Sequence, residues 1–258
     1  MRNKSTTSGQ SIFIRFFLNI FARIWALWGI ISFIGTFLIA IIPSFMTALF
    51  REPKGIHYFI KVAKAWMTTW LTMVGCPVTC KGQEHFKKGR TYIVTCNHNS
   101  LLDVPLSSPF IPGGNQTIAK KTFTKIPIFG WYYARGSVIV DRKSDSSRRK
   151  SYELMKQALE IGYHMCIYPE GTRNRTDQPL KKFYDGAFKL ATDTGHAIIP
   201  AVIFNTKKAL PANRFFYFLP HRLSIHFLPP VDPANLSSDE LKDKVHQIMS
   251  NYYVAHQS

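Results

Sequence analysis

The sequence is short of acids. Fifteen Asp and Glu stand against 33 Lys and Arg in 258 residues, giving a formal charge of +18 and a pI near 9.9. That imbalance implies an anionic partner: nucleic acid, an anionic membrane surface or a phosphorylated substrate. Cysteine is scarce as well. Cys76, Cys80, Cys96 and Cys166 form neither a zinc-ligand pattern nor a disulfide framework, so they read as reduced, buried thiols of a cytoplasmic domain. No metal centre is expected. Internal repeats and low-complexity linkers are absent, and the apolar content argues against disorder. There is no Gly-x-Ser-x-Gly elbow, which weighs against a serine hydrolase built on Ser100. There is no nucleic-acid-binding motif either, which weighs against a membrane-tethered nucleic-acid binder despite the charge.

One absence is local. From Ile24 to Phe50 no charged residue occurs, a run longer than the ~20 apolar residues that cross a bilayer. It is too long for a cleaved signal peptide and is followed by no small-residue cleavage site. Arg2, Lys4, Arg15 and Arg23 precede it, and Arg51, Lys54, Lys61 and Lys64 follow. Basic flanks on both sides give no simple positive-inside orientation. They suit a span or a hairpin dipping into one leaflet with its bend near Pro43. A second stretch, 58–74, reads as an interfacial helix with Trp66 and Trp70 at headgroup level, or as a helix packed on the domain. Residues 1–75 are therefore expected to form a helical membrane-anchoring region, and 76–258 a separate domain.

After Gly75 the pattern changes. Short apolar or β-branched runs at 92–96, 117–119, 137–140, 165–168, 197–204 and 223–228 are separated by helical stretches, notably 146–161 and 186–194. Strands apolar on both faces and separated by helices predict an α/β fold, a mainly parallel sheet flanked by helices. Ser237 with Glu240 predicts a capping box. The helix that follows carries Leu241, Val245, Ile248, Met249 and Tyr252 on one face.

Chemistry gathers around His98 and Asp103, five positions apart just after the first of these central runs. On one continuous helix the two would not share a face. With His98 in a strand-to-helix turn and Asp103 in the first helical turn they can meet, as a base and its orienting acid or as a structural hydrogen bond. Cys96 lies close enough to raise a thiol nucleophile, but its place at the end of an apolar run suits packing. Three further segments follow. Lys120 opens a run of cations and glycines that ends at Arg142; Tyr168-Pro169-Glu170-Gly171-Thr172-Arg173 ends a strand in a turn; Pro200 interrupts an apolar strand. Strand ends are where parallel sheets bind ligands, and the arginine fork matches phosphate oxygens.

In this order the segments resemble the glycerolipid acyltransferase family, particularly its bacterial 1-acyl-glycerol-3-phosphate (lysophosphatidate) acyltransferases. The His-x4-Asp block falls on His98 and Asp103. The second block falls on Lys120, Gly130, Gly136 and Arg142, the Pro-Glu-Gly-Thr-Arg block on Pro169 to Arg173, and the apolar proline block on Pro200. Tyr168 stands where Phe is usual. The resemblance implies a membrane enzyme with no tightly bound cofactor that moves a fatty acyl group from acyl-CoA or acyl carrier protein to a lysophosphatidate-type acceptor. His98 would be the general base, oriented by Asp103, without an acyl-enzyme. Lys120, Arg142, Glu170, Gly171, Thr172 and Arg173 would shape the substrate site. Glycerol 3-phosphate, another lysophospholipid or an amino-acid lyso-lipid is an alternative acceptor. The expected location is a bacterial inner membrane, catalytic domain on the cytoplasmic face. A basic rim (Arg148, Arg149, Lys150, Lys181, Lys182, Lys207, Lys208) would rest on anionic lipid.

Overall fold

The computed structural model describes residues 5–141 and 144–256, with side chains from Phe13 onward. Helix α1 (Ser5–Met46) runs through Pro43 without ending there. The bend comes later, in a 3-10 turn at Thr47–Leu49, and Pro53 then caps helix α2 (Lys54–Met73). A proline inside a helix forfeits one hydrogen bond, whereas at a helix start its missing N–H costs nothing. The second proline therefore marks the turn. The segment Phe13–Leu49 is long and apolar enough to cross a membrane.

The two helices form an antiparallel pair stitched by indole N–H groups. Trp25 Nε1 donates to the Val74 carbonyl, Trp70 Nε1 to the Gly29 carbonyl and Trp66 Nε1 to Thr36 Oγ1, at 3.0, 3.2 and 3.0 Å. Trp66 and Trp70 are buried, so the headgroup placement is corrected. Their apolar bodies and single polar atoms are both satisfied between the helices.

Seven strands follow: β1 (Val78–Lys81), β2 (Ile93–Cys96), β3 (Asn115–Lys120), β4 (Ser137–Val140), β5 (His164–Ile167), β6 (Ile198–Phe204) and β7 (Leu223–Phe227). Their order in the sheet is β1-β7-β6-β2-β5-β3-β4. Five strands are parallel; β7 runs against β6, and β1 follows β7. The mainly parallel α/β sheet is as expected. The sequence reading missed β1, a short strand whose side chains are alternately half-buried and exposed. It carries none of the doubly apolar character that marks the centre.

Side chains alternate across the sheet and build one core on each face. Val94, Cys96, Ile199, Ala201 and Ile203 pack with Trp66 and Trp70 of the helix pair. Ile93, Ile198 and Val202 face the other way, toward α5 (Asp145–Ile161), α6 (Gly186–Thr194) and α8 (Ser238–His256). The helix pair is thus one layer of the fold. The capping box forms as read: Ser237 Oγ accepts from the Glu240 N–H, and Glu240 Oε2 accepts from the Ser237 N–H. Leu241, Val245 and Met249 of that helix are fully buried. Helix α5 starts on Ser144, whose side chain accepts from Ser147, and ends on Gly162 at φ 102°, a backbone that disfavours any side chain.

Candidate active site

Three adjacent parallel strands deliver the site at their carboxyl ends. β2 leads into Asn97 and His98, β5 into Tyr168 and the Glu170 turn, and β3 ends on Lys120. Asn97 locks the exit of β2 to β6: its side chain donates to the Ile203 carbonyl at 2.9 Å and accepts from the Ile203 N–H at 2.6 Å. His98 follows in the turn, and Asp103 opens α3 (Asp103–Ser107). Their side chains meet, with Nδ1 2.8 Å from Oδ2. The same oxygen accepts the N–H groups of Asn99 at 2.5 Å and Ser100 at 2.7 Å. An oxygen already taking two amide protons is an acceptor, so Nδ1 carries the proton and Nε2 carries the lone pair. The aspartate side chain is fully buried, and the histidine retains 20% exposure.

Glu170 holds this turn from behind. Its Oε1 accepts the His98 N–H at 2.7 Å and its Oε2 the Lys181 N–H at 3.0 Å. The carboxylate is wholly buried. Burial pushes its pKa up, and the two amide bonds pull it back. It does not line the groove described below, so it shapes the loop without reaching a ligand. The Asn174 N–H closes the frame on the His98 carbonyl at 2.6 Å. Tyr168 packs its ring 4.6 Å from the imidazole and shares a 2.6 Å hydrogen bond with Ser107, at the end of the helix Asp103 begins.

Gly171 has φ 68°, and a Cβ there would come within 2.8 Å of the Tyr184 ring. Thr172 is exposed, its hydroxyl accepting from Lys181 Nζ at 2.6 Å. Arg173 is half-buried and Lys120 exposed. Both line one large groove with His98, Lys121, Lys181 and Arg214. Arg142 lies outside the described residues. The groove has a volume of about 2140 Å³, and its other wall is apolar: Gly29, Phe33, Trp66 and Trp70 of the helix pair, with Phe129 and Phe218.

Two rival nucleophiles are accounted for. Ser100 is buried and donates its hydroxyl proton to the Leu210 carbonyl at 2.7 Å. Cys96 is buried, 3.8 Å from the Cys166 sulfur. That neighbour and burial push the Cys96 thiol well above its ordinary pKa, and a protonated thiol is a poor nucleophile. The sequence reading did not foresee the 210–218 wall. Its signal was the run Arg214-Phe215-Phe216-Tyr217-Phe218, too aromatic for an ordinary loop.

An imidazole with a fixed tautomer, set in a groove cationic on one side and apolar along the other, can accept a proton from a hydroxyl of an anionic amphiphile. The family profile described as Acyltransferase matches residues 77–204. The chain thus carries an acyltransferase-family domain, the family its motif blocks resemble. It is 29% identical over 196 residues to a Saccharomyces cerevisiae 1-acyl-sn-glycerol-3-phosphate acyltransferase, covering 70% of this chain and 63% of that one. An Escherichia coli protein of the same name is 26% identical over 199 residues, covering 75% and 76%. The chain spans about three-fifths of the length of the yeast relative and of one from Cocos nucifera. Among solved structures, the 1-acyl-sn-glycerophosphate (LPA) acyltransferase PlsC from Thermotoga maritima superposes with a TM-score of 0.74 at 26% identity, covering 92% of this chain and 95% of that one.

Proposed function

We propose that this protein is a membrane-bound 1-acylglycerol-3-phosphate O-acyltransferase, moving a fatty acyl group from acyl-CoA or acyl carrier protein to the sn-2 hydroxyl of lysophosphatidate and yielding phosphatidic acid. The observation that carries this reading is the His98–Asp103 pair, held by backbone amides in the groove that Lys120 and Arg173 also line. His98 Nε2 takes the hydroxyl proton as the oxygen attacks the thioester carbonyl. The C–S bond then breaks, and the thiolate leaves with the proton returned by the imidazolium. Asp103 stabilises that imidazolium through Nδ1. No acyl-enzyme is needed, because a thioester is already activated.

Arg173 grips the acceptor phosphate in bidentate fashion, with Lys120 and Arg142 adding charge there or at the donor's phosphates. Gly171 and Thr172 shape the turn that presents Arg173, and Glu170 fixes it from below. Residues 1–75 anchor the enzyme, and α1 and α2 also wall the groove. The catalytic part would lie on the cytoplasmic face of a bacterial inner membrane, its basic rim against anionic lipid.

The test is phosphatidate formation from labelled lysophosphatidate with each donor, in membranes carrying the protein or its His98→Ala variant. Product from the parent alone is the expected result. Undiminished product in the variant removes His98 from catalysis, and turnover only with another acceptor replaces lysophosphatidate.

A further inference from the structure

The segment 210–218 leaves two consecutive aromatic side chains outside the fold. Phe215 is 91% exposed and Phe216 36%. Phe216 also has φ 49°, a left-handed backbone that bulky residues rarely adopt. Water alone gives no reason to present a phenylalanine this way, and strain held in place by surrounding structure is characteristic of functional segments. The neighbours of this loop are held by contacts. Arg214 lies over the Tyr217 ring at 4.7 Å, Tyr217 and Phe218 are buried, and the Phe218 N–H donates to the Ala22 carbonyl at 3.1 Å. The loop is therefore docked on α1.

The docking point is informative. Ala22 is fully buried, but every residue described before it, from Phe13 to Phe21, is exposed. The large apolar side chains among them run from 41% to 67% exposure. The loop thus sits where α1 leaves the domain, beside an exposed stretch that is apolar save for Arg15 and Asn19. Both features are exposed, and the exposed Arg214 adds a cation beside them. A basic residue beside aromatic side chains at the edge of an apolar helix matches the headgroup–acyl boundary of an anionic bilayer.

We infer that Phe215 and Phe216 form a second bilayer contact, inserting beside α1 and holding the mouth of the groove against the lipid from which the acceptor enters. This rests on the membrane anchorage proposed above. It adds a site remote in sequence from the anchor that governs how the acceptor is delivered, not how it is converted.

The experiment uses the full chain in vesicles of phosphatidylglycerol and phosphatidylethanolamine. A nitroxide is attached at Phe215→Cys, with the parent chain treated in parallel to subtract label on native cysteines. The expected result is collision with molecular oxygen about tenfold more frequent than with a water-soluble nickel chelate; equal or greater access for the chelate overturns the inference. This reading does not depend on turnover, so a loop that inserts in a protein that never acylates lysophosphatidate would sink the acceptor assignment alone. The kinetic companion is Phe215→Ser. Its apparent KM for long-chain lysophosphatidate in vesicles should rise about tenfold, equivalent to about 1.4 kcal/mol, and by less for a short-chain acceptor dissolved as monomer. An equal rise for both acceptors, or a rise for neither, overturns it.

Discussion

His98 and His164 belong to neighbouring parallel strands but stand at opposite ends of them. His98 follows the carboxyl end of β2, and His164 begins β5. Each uses Nδ1 for one short hydrogen bond, in opposite directions. His98 donates to a carboxylate and keeps a lone pair on Nε2 for the groove. His164 accepts the backbone N–H of Tyr92 at 3.0 Å and stacks on that ring. Burial lowers its pKa to about 4, so it is a neutral linker. In the proposed mechanism the same side chain becomes a base or a fastener according to whether its partner can stabilise an imidazolium. An aspartate can; an amide N–H cannot.

Substitution should separate the two most sharply. In His98→Ala, kcat should fall about a thousandfold, within the range of a lost general base, with Tm nearly unchanged because Asp103 keeps its two amide bonds. A comparable fall in Tm would place His98 with the structural histidines. Acid should act on the other histidine. Its folded pKa lies below the unfolded value of about 6.5, so the stability it confers is complete above pH 6.5 and is lost as pH falls toward 4. The loss amounts to roughly 3 kcal/mol. Thermal melts in detergent from pH 7.5 to 4.5 should reveal it, and His164→Gln should flatten that slope; an unaltered slope would assign it elsewhere. Arg173→Ala should be milder and of another kind, raising the KM for the phosphorylated acceptor about tenfold with kcat nearly constant. A fall in kcat alone would move Arg173 from binding to the reacting centre.

The same contrast explains what could be read from the sequence. His98 and Asp103 were legible because five residues of turn join them, and Ser237 with Glu240 because a capping box is local. The inward-facing strands β2, β5 and β6 announced themselves by apolar runs. Glu170 was legible as part of a motif, but its task was not: the amides it holds are 72 and 11 positions away, and backbone groups leave no signature in side-chain spacing. The placement of Trp66 and Trp70 stayed open between two readings for a related reason. An indole satisfied by Gly29 or Thr36 in another helix has the same local pattern as one satisfied by lipid headgroups. The Phe215 loop needed the third dimension, since only its docking on Ala22 sets it beside the exposed length of α1.

The reversed pair β1 and β7 has a consequence for where the fold can grow. Because they run against the other five strands, the chain enters both from the groove edge, through α2 in one case and the 210–222 segment in the other. Extra residues inserted before either strand would spread toward the groove, whereas those inserted before β2, β3, β5 or β6 would emerge on the far side. A reporter peptide placed ahead of β5, at the Gly162 turn, would thus stand clear of the groove, while the stretch ahead of β7 is where lengthening would remodel access to it and leave His98 in place.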